Sequence, residues 1–436
     1  MKLSTFKRTL FLILFSVTVF GQIIGQSKIE YLTKDGTWCW FSDPRAIMVG
    51  DDIITGWVKS NGTIEAAKLN TAENKVETSE LYYLLEADDH DNPAFTTTAS
   101  GEVIVMYTRH SRKDLFINYL TAPKGDFDFS GAQMIHPLSD QELEKFPRAT
   151  MTYANPFRLE NENNRIYCFG RWTGFKPNMM WSDDNGKTWT KSRVFITNYP
   201  FDHNNRPYVK YFSDGKSKIH IVFTDGHPRD EPTNCVYYVY YENGAFYKAN
   251  GEQICTMEQL PFEPEDASVV YTSNPEQGRA WIADIGQDNE NNPVILYTRS
   301  PKETSHEYWY ARYTEKGWID NKICDSGKWF PQTPEEKKEP EPHYFGGMSI
   351  HPGNANVVYL SRQINGVFEI ERRETENKGK SWETEAITEN SEYDNVRPYI
   401  PRGISADSKE IVLWMENQKY IHYTNFKTSI KYLIRD

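Results

Sequence analysis

The chain has 436 residues, a formal net charge of -12 and 38% hydrophobic residues. The acidic balance argues against general nucleic-acid binding. After the N-terminal segment, no apolar run reaches the roughly 18 residues that a membrane-spanning helix needs. Aromatic residues make up 14% of the chain. Together with frequent Gly, Pro, Asn and Asp, they are typical of short strands joined by tight turns.

The N-terminus predicts a signal peptide over residues 1–25. Basic residues come first, an apolar core follows at 10–20 (LFLILFSVTVF), and Gly21 and Gly25 offer small residues for cleavage. The alternative is a buried N-terminal strand or helix. We therefore expect a secreted protein, extracellular or periplasmic, whose mature part is a single domain over residues 26–436.

Seven segments repeat one pattern along the chain: a polar turn, a β-rich apolar stretch and a small polar or basic ending. They occupy 50–60, 100–111, 163–173, 216–226, 290–300, 354–363 and 408–417. Each interval has room for a four-stranded antiparallel sheet, which is one propeller blade. The sequence thus predicts an all-β fold, a seven-bladed β-propeller.

Two turns match the Asp box of sialidase-type propeller blades. Residues 182–189 (SDDNGKTW) fit S-x-D-x-G-x-T-W, and residues 375–382 (TENKGKSW) are a weaker copy. In such a turn, polar side chains bond to backbone amides and Gly adopts a left-handed conformation. These turns are structural elements and carry no information about catalysis.

Basic residues follow several of the repeated segments and predict a cationic ring on one face. They are Lys59, Arg109, Arg171, Arg299 and Arg362. Guanidinium groups bind carboxylates and sulfates in bidentate fashion, so such a ring would let an acidic protein hold an anionic polysaccharide. The alternative is that each arginine pairs with a nearby Asp or Glu.

His90 and His110 are the strongest candidates for chemistry. They lie in DDHDNPA (88–94) and YTRHS (107–111), and tyrosines and an arginine follow at Tyr153, Arg171 and Tyr208. Elimination on a uronate needs a cation to stabilise the enolate-like intermediate and His or Tyr groups to move protons. A His beside an apolar strand is also often just a packed residue.

The chain resembles BNR-repeat propeller proteins, and among them the ulvan lyases of polysaccharide lyase families 24 and 25, with family 25 favoured. The segments that carry the resemblance are 37–47, 88–94, 107–111, 152–156, 206–211, 223–229 and 343–352. It implies a seven-bladed propeller with a substrate groove across one face. It also implies β-elimination at the bond from 3-sulfated rhamnose to a uronic acid in ulvan, which leaves a 4,5-unsaturated uronate.

The resemblance also implies roles for individual residues. His90 and His110 match the active-site histidines, and Arg171 matches the arginine that neutralises the carboxylate. Tyr153 and Tyr208 are candidate proton donors or acceptors, and acid and base are not separated within the His/Tyr set. The candidate substrate-binding residues are Arg109, Arg206, Arg299 and Arg362.

A structural zinc is the one cofactor predicted. The resemblance implies a zinc away from the chemistry, and its candidate ligands are His227, Cys235, Cys255 and Cys324. Tetrahedral zinc accepts a Cys3His set, but the spacing is not that of a compact knuckle. The alternatives are a Cys235–Cys255 disulfide or free buried thiols.

Two other functions compete with the lyase. A sialidase-like glycoside hydrolase would share the propeller and the Asp boxes, but it would need an arginine triad and a Tyr/Glu nucleophile pair. A non-catalytic propeller that binds acidic polysaccharide would keep the basic ring without needing either histidine.

Overall fold

The computed structural model describes residues 28–110, 113–302, 305–327 and 346–435. Its strands form seven antiparallel sheets, which confirms the seven-bladed β-propeller. The predicted signal peptide and the Pro-rich stretch at 331–342 lie outside the described residues. One short α-helix, α1 (Asp140–Lys145), is present in the described part, and no helix there has the length and apolarity to cross a bilayer.

The first three blades follow one another along the chain. Blade 1 contains β2 (Ala46–Val49), β3 (Asp52–Val58), β4 (Ile64–Asn70) and β5 (Lys75–Tyr82). Blade 2 contains β6 (Ala94–Thr97), β7 (Val103–Tyr107), β8 (Ile117–Ala122) and β9 (Ser130–Ile135). Blade 3 contains β10 (Ala149–Leu159), β11 (Arg165–Thr173), β12 (Pro177–Ser182) and β13 (Arg193–Val194).

Blade 4 departs from the four-stranded pattern, and blades 5 and 6 restore it. Blade 4 contains β14 (Val209–Ser213), β15 (Lys218–Thr224), β16 (Val236–Glu242), β17 (Ala245–Tyr247) and β18 (Gln253–Thr256), with β19 (Ser268–Tyr271) also paired to β16. Blade 5 contains β20 (Arg279–Gln287), β21 (Pro293–Lys302), β22 (Ser305–Thr314) and β23 (Gly317–Gly327). Blade 6 contains β24 (Met348–His351), β25 (Asn354–Ile364), β26 (Val367–Glu374) and β27 (Glu383–Ala386).

The seventh blade joins the two ends of the described chain. It contains β28 (Asp394–Tyr399), β29 (Glu410–His422) and β30 (Asn425–Arg435), and its outer strand is β1 (Glu30–Thr33). β1 pairs antiparallel with β30. This pairing closes the ring of blades, and the sequence repeats did not reveal it because β1 precedes the first of them.

The repeated apolar segments are the second strands of the blades, as their composition suggests. Each segment coincides with all or most of one second strand, namely β3, β7, β11, β15, β21, β25 and β29. Residues of inner strands such as β20 are almost all buried, whereas β27 at the outer edge is exposed throughout. The hydrophobic core therefore follows the inner and middle strands around the axis.

Both Asp boxes lie where the sequence predicts them, between the two outer strands of a blade. In blade 3, Gly186 N donates to Ser182 Oγ at 2.8 Å and Trp189 Nε1 donates to Gly186 O at 3.0 Å. In blade 6, Gly379 N donates to Thr375 Oγ1 at 2.9 Å, and the Trp382 indole repeats the second contact at 3.1 Å. The same bonds therefore form with Thr in place of Ser.

Buried charges join distant blades in the middle of the molecule. Lys210 of blade 4 donates to the Asp43 carboxylate and to Trp40 O. Arg402, beyond β28, donates to Asp284 of blade 5 at 2.5 Å. These pairs are almost fully buried, and breaking one would leave an uncompensated charge in the core. They fix the inner strands under the candidate site.

Candidate active site

The candidate catalytic residues come from three blades but lie on one face of the propeller. His90 is in a 3-10 turn, Asp89–Asp91, between β5 and β6, and His110 follows β7. Tyr153 is in β10, Arg171 is near the end of β11, and Tyr208 directly precedes β14. Since first strands begin and second strands end at the same face, the fold brings these residues together.

The two histidine rings stack on each other. Their centroids are 4.2 Å apart and their planes differ by 21°. Both rings direct Nδ1 to Asp88, at 2.7 Å from Oδ1 for His90 and 3.2 Å from Oδ2 for His110. Each ring therefore has its Nε2 turned away from Asp88.

The protonation states of the two histidines diverge. Burial opposes a charge on His90, but Cys39, Asp88 and Asp89 favour it and raise its pKa well above the usual range. Burial and the neighbouring charge of His90 lower the pKa of His110 to about 4. Near neutral pH, His90 is an imidazolium and His110 a neutral imidazole. Such a divergence marks a candidate acid and base.

The turn that carries His90 is fixed by its own aspartates. Asp88 Oδ1 accepts from the His90 backbone amide at 3.0 Å, and Asp91 Oδ1 accepts from the His110 amide at 2.9 Å. Asp89 Oδ2 accepts from Arg397 Nη1 at 2.7 Å. The acidic residues of the DDHD motif therefore place the histidines and bind them to the seventh blade.

Arg171 lies between two tyrosine rings. Its guanidinium carbon is 5.1 Å from the Tyr153 ring centroid and 5.0 Å from that of Tyr208. The residue is only 5% exposed, and its Nε and Nη1 have no hydrogen-bond partner within the described residues. Buried donors of this kind are rare and usually serve a function.

The Tyr208 hydroxyl is tuned by the same arginine. Burial raises the pKa of this phenol, but the positive charges of Arg171 and Arg206 favour the phenolate. The net effect is a lowered pKa. Tyr153 joins this cation to the histidines, because its ring stacks on His90 with centroids 5.8 Å apart. The five predicted catalytic residues thus form one continuous cluster.

An unusual backbone conformation places Tyr153. Its φ is +68°, and it lies within one of two register shifts in the pairing of β10 with β11, the one between Thr152 and Asn155. Trp172 Nε1 donates to Tyr153 O at 3.2 Å. A Cβ on Gly170 would lie 2.5 Å from the same carbonyl, so only glycine fits there. Strain in a bulky residue is typical of functional sites.

Aromatic side chains line the cleft beside the histidines. This cleft contacts His90, Tyr153 and Tyr208 as well as Cys39, Trp40, Phe41, Asp89, His227, Trp281, Arg397, Tyr420 and Tyr423. Tyr423 meets His90 edge to face, with centroids 4.9 Å apart. Apolar walls with a few convergent polar groups are typical of a small-molecule or sugar site.

The basic ring and the other candidate substrate-binding arginine, Arg206, are mostly neutralised, which agrees with the alternative interpretation of the sequence. Lys59 pairs with Glu65, Arg109 with Asp114, Arg206 with Asp230, Arg299 with Asp320 and Arg362 with Glu371. Among the described residues, Arg171 makes no such pair. Arg299 is also 3% exposed and stacks on Trp309. The structure places it inside blade 5, away from the groove.

The predicted zinc ligands do not lie together. Cys255 pairs with Phe246, which faces Tyr241 on β16. Cys235 precedes Tyr241 by six residues, about 20 Å along an extended strand. Cys324 belongs to β23 in the next blade. These four residues do not fit one ion.

The same separation excludes a Cys235–Cys255 disulfide, and all five cysteines are free thiols. Cys235 Sγ accepts from Ser273 N at 3.4 Å. His227, the fourth predicted zinc ligand, instead packs its ring against Tyr208 and Trp281, with centroids 5.3 and 4.8 Å away. It belongs to the cleft.

The sequence did not identify Arg397 of the seventh blade, which holds Asp89 in place beside the histidines. Arg397 donates from Nη2 to the Tyr420 hydroxyl at 3.0 Å, and that hydroxyl donates to Asp89 Oδ2 at 2.5 Å. Arg397 also covers the Trp40 ring at 4.5 Å. A signal was present: the tripeptide Arg-Pro-Tyr occurs at 206–208, directly before the first strand of blade 4, and again at 397–399, at the end of the first strand of blade 7.

Comparison with known proteins gives a family and a fold. The model of the BNR repeat-containing family matches residues 54–326. No protein with a curated description matches the chain.

Solved structures resemble the whole chain at low sequence identity. A PL25 ulvan lyase bound to -[GlcA(1-4)Rha3S]- has a TM-score of 0.70 at 11% identity, covering 92% of this chain and 95% of that one. The polysaccharide lyase Uly1 has a TM-score of 0.56 at 12% identity, with coverage of 93% and 97%. At these identities the likeness shows the propeller fold.

Proposed function

Since the chain belongs to the BNR repeat-containing family, we propose that it is a secreted polysaccharide lyase that cleaves a uronate-containing polysaccharide by β-elimination. One observation carries the proposal. The Arg171 guanidinium is buried and has two unbonded donors, and it lies one tyrosine ring away from a histidine pair. A uronate carboxylate is the ligand that such an arrangement suits.

Arg171 binds the uronate carboxylate in this mechanism. Two parallel N–H groups on a planar guanidinium match two carboxylate oxygens. The contact strengthens as negative charge develops, because loss of the C5 proton spreads charge onto the carboxylate. Tyr153, Phe175 and Tyr208 hold the guanidinium plane with centroids 4.6 to 5.1 Å from its carbon.

The histidines and Tyr208 move the protons. A group with a lowered pKa, neutral His110 or the Tyr208 phenol as its phenolate, takes the C5 proton. The electron pair forms the C4–C5 double bond, the C4–O bond breaks, and the leaving oxygen takes a proton. His90, held as an imidazolium, is the proposed donor. No water is consumed.

The proposed substrate is ulvan. It rests on the likeness to the ulvan lyase in complex with -[GlcA(1-4)Rha3S]- and on the sequence motifs. Export rests on residues 1–25. The rival sialidase-like hydrolase needs an arginine triad, whereas the arginines that could join Arg171 are each paired with a carboxylate: Arg109, Arg206, Arg299 and Arg362.

The test combines ultraviolet absorbance with product masses. We expect ulvan, from a panel with alginate, pectin and glycosaminoglycans, to give the absorbance of a conjugated unsaturated uronate. The product masses should add up to that of the substrate, whereas hydrolysis adds one water per cleavage. Rising reducing ends with added water and no absorbance would establish a hydrolase instead. Binding of ulvan without either signal would establish a binding protein.

The pH dependence follows from the two histidines. His110 must be neutral, so kcat/KM should fall as the pH drops through about 4. His90 must be charged, so kcat/KM should fall again only as the pH rises through its raised pKa. The free enzyme's groups govern kcat/KM, which should therefore be nearly level across the ordinary imidazole range.

The Asp43 ion pairs should persist through the acidic limb of this profile, but the fold should lose stability there. Burial lowers the pKa values of His220 and His227, so folding opposes their protonation as the pH falls below the unfolded value near 6.5. The pKa of Asp43 is lowered to about 2, so its ion pairs stabilise the protein above the unfolded value near 3.9 and are lost as the pH falls through 2. Tryptophan fluorescence at each pH is the control. A single step in kcat/KM centred near pH 6.5 would contradict the assignment of both histidines.

A further inference from the structure

A thiol, a carboxylate and an imidazole meet beside the proposed proton donor. Cys39 Sγ, a carboxylate oxygen of Asp89 and a ring nitrogen of His90 all lie within 4.8 Å of one another. Cys39 and Asp89 are 2% and 1% exposed. The Cys39 amide donates to Asp89 O at 2.8 Å and to Asn92 Oδ1 at 3.1 Å. The two chain segments are therefore fixed against each other.

One oxygen of Asp89 is left without a hydrogen bond. Oδ2 accepts from Arg397 and Tyr420, whereas buried Oδ1 accepts none within the described residues. Oδ1 does lie 3.0 Å from His90 Nδ1, but that nitrogen forms its hydrogen bond with Asp88 Oδ1 at 2.7 Å. The one polar neighbour of Oδ1 within the described residues is therefore an imidazolium nitrogen shared with Asp88, and a buried carboxylate oxygen of this kind is a strong ligand for a cation.

We propose that Cys39, Asp89 and His90 form a binding site for a thiophilic divalent cation of the zinc class. Sulfur, oxygen and nitrogen ligands together suit zinc, which also tolerates an open fourth position. The cation would replace the Cys39 thiol proton and the His90 Nδ1 proton, and both protons would go to solvent. The thiolate and the carboxylate would then balance its two positive charges.

This site differs from the predicted zinc set, and its occupation has a consequence. With a cation on Nδ1, His90 is no longer a protonated imidazole that Asp88 can hold in place. We therefore expect the cation to inhibit turnover, a consequence that rests on the proposed function. Binding itself depends only on the three ligands.

The test uses metal-free, tag-free protein and the metal alone. Cobalt(II) should produce a thiolate-to-cobalt charge-transfer band at one equivalent in the wild type. The band should be absent in Cys39→Ser, and zinc affinity measured by calorimetry should fall by about 100-fold or more. Cys168→Ser is the matched control, because Cys168 is equally buried but lies in blade 3, in β11; it should retain both signals.

The contrary outcomes are distinct. A wild type without the cobalt band, or a Cys39→Ser protein that keeps it, overturns the site. If zinc inhibits the wild type and Cys39→Ser equally, the proposed site is also overturned. The cation is then assigned to the neighbouring group of Asp88, His90 and His110. Should Cys39→Ser not fold, Asp89→Asn serves as the second variant and should weaken binding similarly. Absence of lyase activity would leave the binding result intact.

Discussion

Arg171→Ala should lower kcat/KM on the polysaccharide by about 1,000-fold or more while the protein stays folded. Removing a single donor to a developing oxyanion costs about 100- to 1,000-fold, and this change removes two donors and a charge. The fold should tolerate it, because Arg171 makes no ion pair within the described residues. Initial rates from the product absorbance, with circular dichroism for the fold, measure both effects.

Two further variants sharpen this result. Arg171→Lys keeps the charge but presents a point ammonium instead of a planar pair of donors, so it should recover only part of the rate. Arg299→Lys is the control: this arginine also lies near the end of a second strand, but it is bound to Asp320 and Tyr297 inside blade 5. It should lower Tm and leave kcat of the folded protein nearly unchanged. A normal rate in Arg171→Ala would exclude the proposed mechanism.

The propeller and the clustering of the candidate residues could be predicted because both depend on local signals. The apolar second strands repeat at every blade, and the Asp boxes are fixed by bonds within eight residues. His90, His110 and Arg171 sit at equivalent ends of loops and strands, so a correct repeat assignment already places them on one face. Tyr153 needed the resemblance, since 27 tyrosines are too many to choose among.

What could not be predicted depends on side-chain partners across blades. Whether an arginine is free or paired is decided by residues such as Glu371, one strand away from Arg362. The predicted zinc set failed for a related reason: blade 4 has two additional strands, and Cys255 lies on one of them, β18. Arg397 supports Asp89 from 308 residues away, a contact that no spacing in the sequence encodes.

Loss of the His110 imidazole should be the second large effect, with kcat reduced by about 100- to 10,000-fold in His110→Ala. KM should change little, since Arg171 still binds the carboxylate. If His110 is the base, added imidazole should restore part of kcat, and the acidic limb near pH 4 should disappear from the profile. If Tyr208 is the base instead, Tyr208→Phe should produce the larger loss and His110→Ala should keep that limb.

His220 supplies the matched control for this experiment. Burial lowers its pKa to about 4, as for His110. Its ring, however, bonds to Tyr238 of blade 4 and to Gln287 of blade 5 and is not among the residues that line the cleft. His220→Asn should therefore reduce Tm and leave kcat and the pH profile unchanged. If its rate fell as far as that of His110→Ala, disruption of the fold rather than loss of a proton acceptor would account for both variants. His90 and His110 would then be structural residues of the core. A catalytic base differs from a buried histidine only in that its second ring nitrogen contacts the substrate.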